Sequence, residues 1–189
     1  MPKRQKQGVL CLEGNWDHRQ RLTNSSTVRP ILDLLAGQKQ IKFIHKDVAT
    51  AEELEHYLRK WLQKGYQAYN IGYLAFHGVP GALCVGKEDV SLDKLAEIIN
   101  GKGSGRILYF GSCSTLATDQ EDEIKQFLKE TKIKAVCGYS ADIPWIESAA
   151  FEVLLIDALS WYQRIHAANN FLQKDYPNLC KRLDFRMVW

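Results

Sequence analysis

The stretch Tyr73-Leu-Ala-Phe-His-Gly78, followed after a turn and a short helix by Arg106-Ile-Leu-Tyr-Phe-Gly-Ser-Cys-Ser-Thr115, decides how this chain is read. In each half, apolar residues run on without two-residue alternation and stop at a side chain able to do chemistry, His77 in the first and Cys113 in the second. Strands of that kind are covered on both faces, the mark of a parallel sheet held between helical layers.

Outward from this pair the same alternation of strand and helix continues. Gly8 to Leu12 reads as a strand, Val28 to Ala36 as a helix closed by Gly37, and Ile41 to His45 as a second strand. Thr50 and Glu53 form a capping box for a helix whose apolar positions Leu54, Tyr57, Leu58, Trp61 and Leu62 keep the helical period until Gly65. Tyr69 to Phe76 is the third strand, His77-Gly-Val-Pro-Gly81 a turn, and Ala82 to Val85 an extended piece suited to a small hairpin. Ser91 caps a helix over Leu92 to Ile99, and Arg106 to Phe110 is the fourth strand. Thr118 and Glu121 suggest a second capping box for a helix reaching Thr131, Ile133 to Cys137 a fifth strand, and Asp142 to about Phe171 one long or broken helix. Leu183 to Trp189 alternates apolar and polar residues, as an edge strand does. The expectation is a single α/β domain over residues 1–189, a three-layer α/β/α sandwich, with residues 1–7 a flexible basic tail.

Composition narrows the function classes. The chain has 189 residues, 46% hydrophobic and 25% charged, enough for one sizeable core. Its net charge of +3 is small, and the basic cluster Lys3, Arg4 and Lys6 is confined to the N-terminus, so no nucleic-acid partner is expected. No apolar run approaches the roughly 18 residues of a membrane span, and the opening residues lack the apolar core of a signal peptide, which points to the cytoplasm. Five cysteines without a C-x-x-C pattern argue for reduced thiols, and Cys11, Cys84, Cys137 and Cys180 read as core or near-core. Five scattered histidines suggest no metal site. The glycine-rich Asn100 to Gly105 precedes a strand, the reverse of the strand-then-helix order that holds phosphate.

In open α/β sheets, functional groups gather beyond the carboxyl ends of the strands. Those ends carry Glu13-Gly-Asn-Trp-Asp17, His77-Gly78, Cys113 and Tyr139-Ser-Ala-Asp142. A thiol nucleophile needs an imidazole to take its proton and backbone N–H donors for the oxyanion it creates. His77 supplies the first. Gly78, without a side chain, suits close approach of substrate to a backbone N–H, and the N–H of Cys113 is the second candidate donor. The helix after Cys113 would add positive potential. Glu13 and Asp17 are further candidates for substrate contact, while Trp16 and Trp145 fit aromatic packing better than pocket walls.

From Tyr73 to Thr115, through Val90-Ser-Leu-Asp-Lys-Leu, the chain resembles the caspase–hemoglobinase superfamily of cysteine peptidases (clan CD) and within it is most similar to CHAT domains. The resemblance implies His77 as general base, Cys113 as nucleophile, and the Gly78 and Cys113 N–H groups as oxyanion hole. It also implies a six-stranded, mostly parallel sheet with Leu183 to Trp189 antiparallel at its edge, a peptide or protein substrate, and no cofactor. Several peptidases of the superfamily hold a basic substrate side chain with a carboxylate, a role open to Asp142; the competing reading makes Asp142 a helix N-cap ahead of Pro144. Two other functions fit the residues: a catalytically silent domain that binds a regulatory protein, and a glutaminase-like amidohydrolase whose histidine would be His166.

Overall fold

The computed structural model describes residues 7–17, 26–117 and 121–189. Nearly all of the basic tail and the capping residue Thr118 lie outside them. In chain order the elements are β1 (Gly8–Glu13), α1 (Arg29–Gly37), β2 (Lys42–Asp47), α2 (Ala51–Trp61), β3 (Ile71–Ala75), β4 (His77–Val79), β5 (Ala82–Val85), β6 (Glu88–Ser91), α3 (Leu92–Ile99) and β7 (Ile107–Gly111). They continue with α4 (Glu121–Thr131), β8 (Ala135–Tyr139), α5 (Trp145–Trp161), α6 (Ile165–Asp175), α7 (Pro177–Arg182) and β9 (Phe185–Val188).

Six strands form one sheet in the order β2-β1-β3-β7-β8-β9. The first five are parallel, and β9 closes the edge antiparallel to β8, with Val136 opposite Val188 and Tyr139 opposite Phe185. Every residue of β1, β3, β7 and β8 is buried, which explains the absence of polar alternation in their sequences. Successive side chains still point to opposite faces. Val9, Cys11, Tyr73, Tyr109 and Cys137 pack against α1, α5 and α6; Leu10, Leu12, Leu74, Leu108 and Val136 pack against α2, α3 and α4. The α/β/α layering follows from these two cores.

Capping side chains set two helix starts where the sequence places them. Thr50 Oγ1 accepts from Glu53 N–H, while Glu53 Oε2 accepts from Ala49 N–H; Ser91 Oγ accepts from Lys94 N–H. Elsewhere the structure departs from the sequence reading. The piece after His77 is a three-stranded antiparallel sheet, β4-β5-β6, rather than one hairpin. Asp142 does not cap α5, which starts at Trp145 with Pro144 in the capping position and no side-chain cap. The long helix breaks between Trp161 and Ile165, and α7, unforeseen in the sequence reading, precedes the last strand. Cys84 is only half-buried, unlike Cys11, Cys137 and Cys180. Among the described residues no helix is long and apolar enough to cross a membrane.

Candidate active site

The chain leaves β1 for β2 on one side and returns to β3 on the other, so a crevice opens at the carboxyl ends of β1 and β3. The loop after β1 is tied down by Glu13. Its carboxylate is buried and accepts from Trp16 Nε1–H at 2.5 Å, Thr27 Oγ1–H at 2.7 Å and Val28 N–H at 2.7 Å, with His45 Nε2 at 2.6 Å. Burial alone would raise this carboxyl, but the bonds from His45, Trp16, Thr27 and Val28 outweigh it and hold Glu13 below the usual range. A carboxyl lowered by folding stabilises the protein above its unfolded pKa, and that stability is lost as pH falls through the folded value. Glu13→Gln is therefore expected to cost about 2 kcal/mol near neutrality and progressively less in acid, read as urea midpoints of both proteins across that range.

Trp16, positioned this way, reaches the next strand end. Its carbonyl oxygen lies 3.0 Å from His77 Nε2, and its indole stands edge-on to the His77 ring at 5.4 Å. A carbonyl only accepts, so His77 Nε2 carries the hydrogen and Nδ1 is the basic nitrogen of the neutral ring. His77 does not open a turn after the third strand, as the sequence suggested, but is the first residue of β4, two positions beyond β3 and paired with Cys84 of β5.

Cys113 follows β7 in a turn fixed by its neighbours. Ser112 Oγ and Thr115 Oγ1 are hydrogen-bonded at 2.8 Å; Thr115 Oγ1 lies 3.3 Å from Cys113 O and 3.4 Å from Ala82 O. Ser114 takes a left-handed conformation, φ 55°, and its N–H donates to Ala141 O, which joins the turn to the end of β8. Gly78 lies against this turn: a Cβ there would sit 2.5 Å from Cys113 O and 2.9 Å from Ser112 Cβ, and would run into Thr115 Oγ1. That side of Gly78 is filled by protein rather than left for substrate, a correction to why position 78 is glycine. The absent side chain lets the His77 strand dock on the Cys113 turn. The helix expected after Cys113, from a cap at Thr118, is described from Glu121 to Thr131, and its capping residue lies outside the described residues.

His77 and Cys113 line one cleft of about 340 Å³. Its walls are largely apolar, with Trp16, Val28, Ile31 and Trp145 prominent, and Trp16 meets Trp145 edge-on at 4.7 Å. The two tryptophans thus pack on each other and shape the pocket together. Glu152 of α5, which the sequence reading missed, also lines it. Burial pushes its carboxyl up to about 7, although hydroxyls of Tyr73 (2.6 Å) and Tyr109 (2.9 Å) donate to it and favour the charged form. The available signal was a carboxyl in the otherwise apolar Phe151-Glu-Val-Leu-Leu-Ile156.

The other candidates lie outside the lining of this cleft. Asp142 is exposed, and its Oδ1 accepts from Ser114 Oγ at 3.0 Å. Asp17 is half-exposed, its N–H donating to Asn15 Oδ1. Glu13 borders a separate hollow with Asp47 and Glu53. Glu13, His45 and Asp47 present ligand atoms within 4.8 Å of one another, but both Glu13 oxygens are already engaged by the loop. His166 lines a hollow on α6 with Tyr162 and Lys174, not the Cys113 cleft. Burial raises the thiols of Cys11, Cys137 and Cys180, and burial with a bond to Asp89 raises Cys84 to about 11, so these four stay protonated at neutral pH.

The six-stranded sheet with its antiparallel last strand is a caspase-like α/β fold. The crystal structure of caspase-1 from Spodoptera frugiperda matches 98% of this chain and 86% of that one with a TM-score of 0.59, at 12% identity, a likeness of fold. The chain belongs to the family of unknown function DUF6642, whose pattern it matches over residues 6–189. No curated protein matches it in sequence.

Proposed function

We propose that this protein is a CHAT-like cysteine hydrolase that cleaves peptide bonds with Cys113 and His77. The observation that carries this reading is that the two side chains line one cleft, with Gly78 seated directly against the Cys113 carbonyl. Cys113 Sγ attacks the substrate carbonyl carbon as its proton passes to His77 Nδ1. The Gly78 and Cys113 N–H groups receive the oxyanion. Collapse of this intermediate breaks the C–N bond, His77 returns the proton to the departing amine, and a thioester is left on Cys113. Water then attacks the thioester, losing a proton to His77, and release of the acid restores the thiol. The hydrogen bond to the Trp16 carbonyl supports this role by holding His77 in the tautomer whose Nδ1 accepts. The chemistry needs no cofactor, and the free thiols suit a reducing compartment, the cytoplasm.

Labelling with a peptidyl acyloxymethyl ketone tests the proposal. The wild type is expected to gain one adduct by intact mass, Cys113→Ala none, and His77→Ala to react about a hundredfold more slowly. Labelling that persists in Cys113→Ala, or fails in the wild type, sinks it in favour of a partner-binding domain.

A further inference from the structure

Polar groups from three parts of the chain converge on the Glu13 carboxylate. Oε1 accepts from Trp16 Nε1–H, in the loop after β1, and from Val28 N–H, at the start of α1. Oε2 accepts from Thr27 Oγ1–H and faces His45 Nε2 on β2. A carboxylate offers roughly four lone-pair sites, so this one is fully used. Glu13 does not line the cleft that holds His77 and Cys113.

The loop it holds lies directly on the approach to His77. Gly14 N–H donates to Ala75 O at 2.8 Å, and a Cβ at Gly14 would sit 2.5 Å from the Phe76 ring, so the loop rests on the end of β3. Asp17 N–H donates to Asn15 Oδ1 at 2.9 Å, which turns the chain at Trp16, the residue between them. Trp16 then makes two hydrogen bonds in series. Its indole N–H reaches back to Glu13, and its carbonyl oxygen receives His77 Nε2–H. A loop carbonyl turns with the soft φ and ψ angles beside it, so its aim at His77 depends on what holds the rest of the residue. A neutral imidazole takes its tautomer from such a bond.

We propose that Glu13 is a positioning residue for the Cys113–His77 pair: by holding the Trp16 indole it aims the Trp16 carbonyl at His77 and fixes the proton on Nε2. The role needs an acceptor at Oε1 rather than a charge, which separates it from the contribution of the Glu13 carboxylate to stability. Its kinetic consequence rests on the hydrolase reading; the tautomer of His77 does not.

The test reads the tautomer from long-range proton–nitrogen spectra of protein with isotope-labelled histidine rings, at about pH 8, where an ordinary histidine is neutral. The His77 signals are those lost in His77→Ala. The wild type is expected to carry the proton on Nε2. Glu13→Ala should show both tautomers and react about tenfold more slowly with the peptidyl acyloxymethyl ketone. Glu13→Gln should rescue both readouts despite a lower urea midpoint. Its amide oxygen can accept from Trp16 and Val28 while its NH2 faces Thr27 and His45, either of which can accept. Trp16→Phe keeps a ring in the cleft wall but has no N–H, so it should match Glu13→Ala, and it decides the question where Glu13→Ala does not fold. Added to Cys113→Ala, Trp16→Phe should change the affinity for a peptide by no more than about twofold, since the wall remains. A wild-type proton on Nδ1, a Trp16→Phe protein with the wild-type tautomer, or a Glu13→Gln protein no better than Glu13→Ala overturns the proposal. A wild type that takes no label while these variants shift the tautomer as expected rejects the hydrolase and keeps the positioning role.

Discussion

Gly78→Ala is expected to lower stability by about 3 kcal/mol and to remove the reactivity of Cys113 with a peptidyl ketone. The added methyl would sit 2.5 Å from the Cys113 carbonyl oxygen, a backbone atom in a turn already bound to the end of β8 through Ser114 N–H and to β5 through Thr115 Oγ1. Neither strand nor turn yields cheaply, because β4 is paired along its length with β5 and the turn is bonded to both Ala141 and Ala82. Relief by separation moves His77 away from Cys113, which is why stability and chemistry fall together. Gly37→Ala is the control: at the end of α1 a Cβ meets nothing within 4 Å, and alanine there should be neutral or stabilising by about 0.5 kcal/mol. Urea midpoints at constant slope and the rate of adduct formation measure both effects; a Gly78→Ala protein with wild-type midpoint and labelling defeats the account.

The same residues show how far the sequence can be read. β1, β3, β7 and β8 were legible because burial on both sheet faces removes the polar half of a strand pattern, and α2 and α3 because Thr50 and Ser91 announce their starts. His77 and Cys113 were legible as strand-end residues, since position in an α/β sheet follows from strand order. The contacts that orient them were not. The Trp16 carbonyl that receives His77 Nε2–H is a backbone atom whose direction depends on the path of a loop, and that path depends on Glu13, made buried by its register between β2 and β3. Asp142 followed by Ile-Pro-Trp looked like a cap, but Ser114, distant in sequence, claims its carboxylate. Glu152 was hidden for a different reason: helical periodicity marks faces by hydrophobicity, and α5 is buried on so many sides that a carboxyl facing a cleft and one facing solvent leave similar patterns.

Between about pH 4.5 and pH 7 the wild type is expected to lose about 3 kcal/mol of the stability that Glu152→Gln retains. The sign follows from proton binding. The folded protein holds the Glu152 proton up to about pH 7, because burial disfavours the ionised form more than the Tyr73 and Tyr109 bonds favour it, whereas the unfolded chain releases it near the ordinary carboxyl value. Over that interval the folded state binds more protons, so its advantage is full below the unfolded pKa and declines as pH rises through the folded one. Glu13 acts in the opposite sense and lower on the scale, so Glu152 accounts for the decline toward neutrality. The groups facing Glu152 are Tyr73 of β3, Tyr109 of β7 and, in the surrounding field, Tyr139 of β8 and Cys11 and Glu13 of β1; none of them supplies a cation. Denaturation of both proteins in urea across this range measures the difference, and parallel curves would rule out an elevated carboxyl at 152.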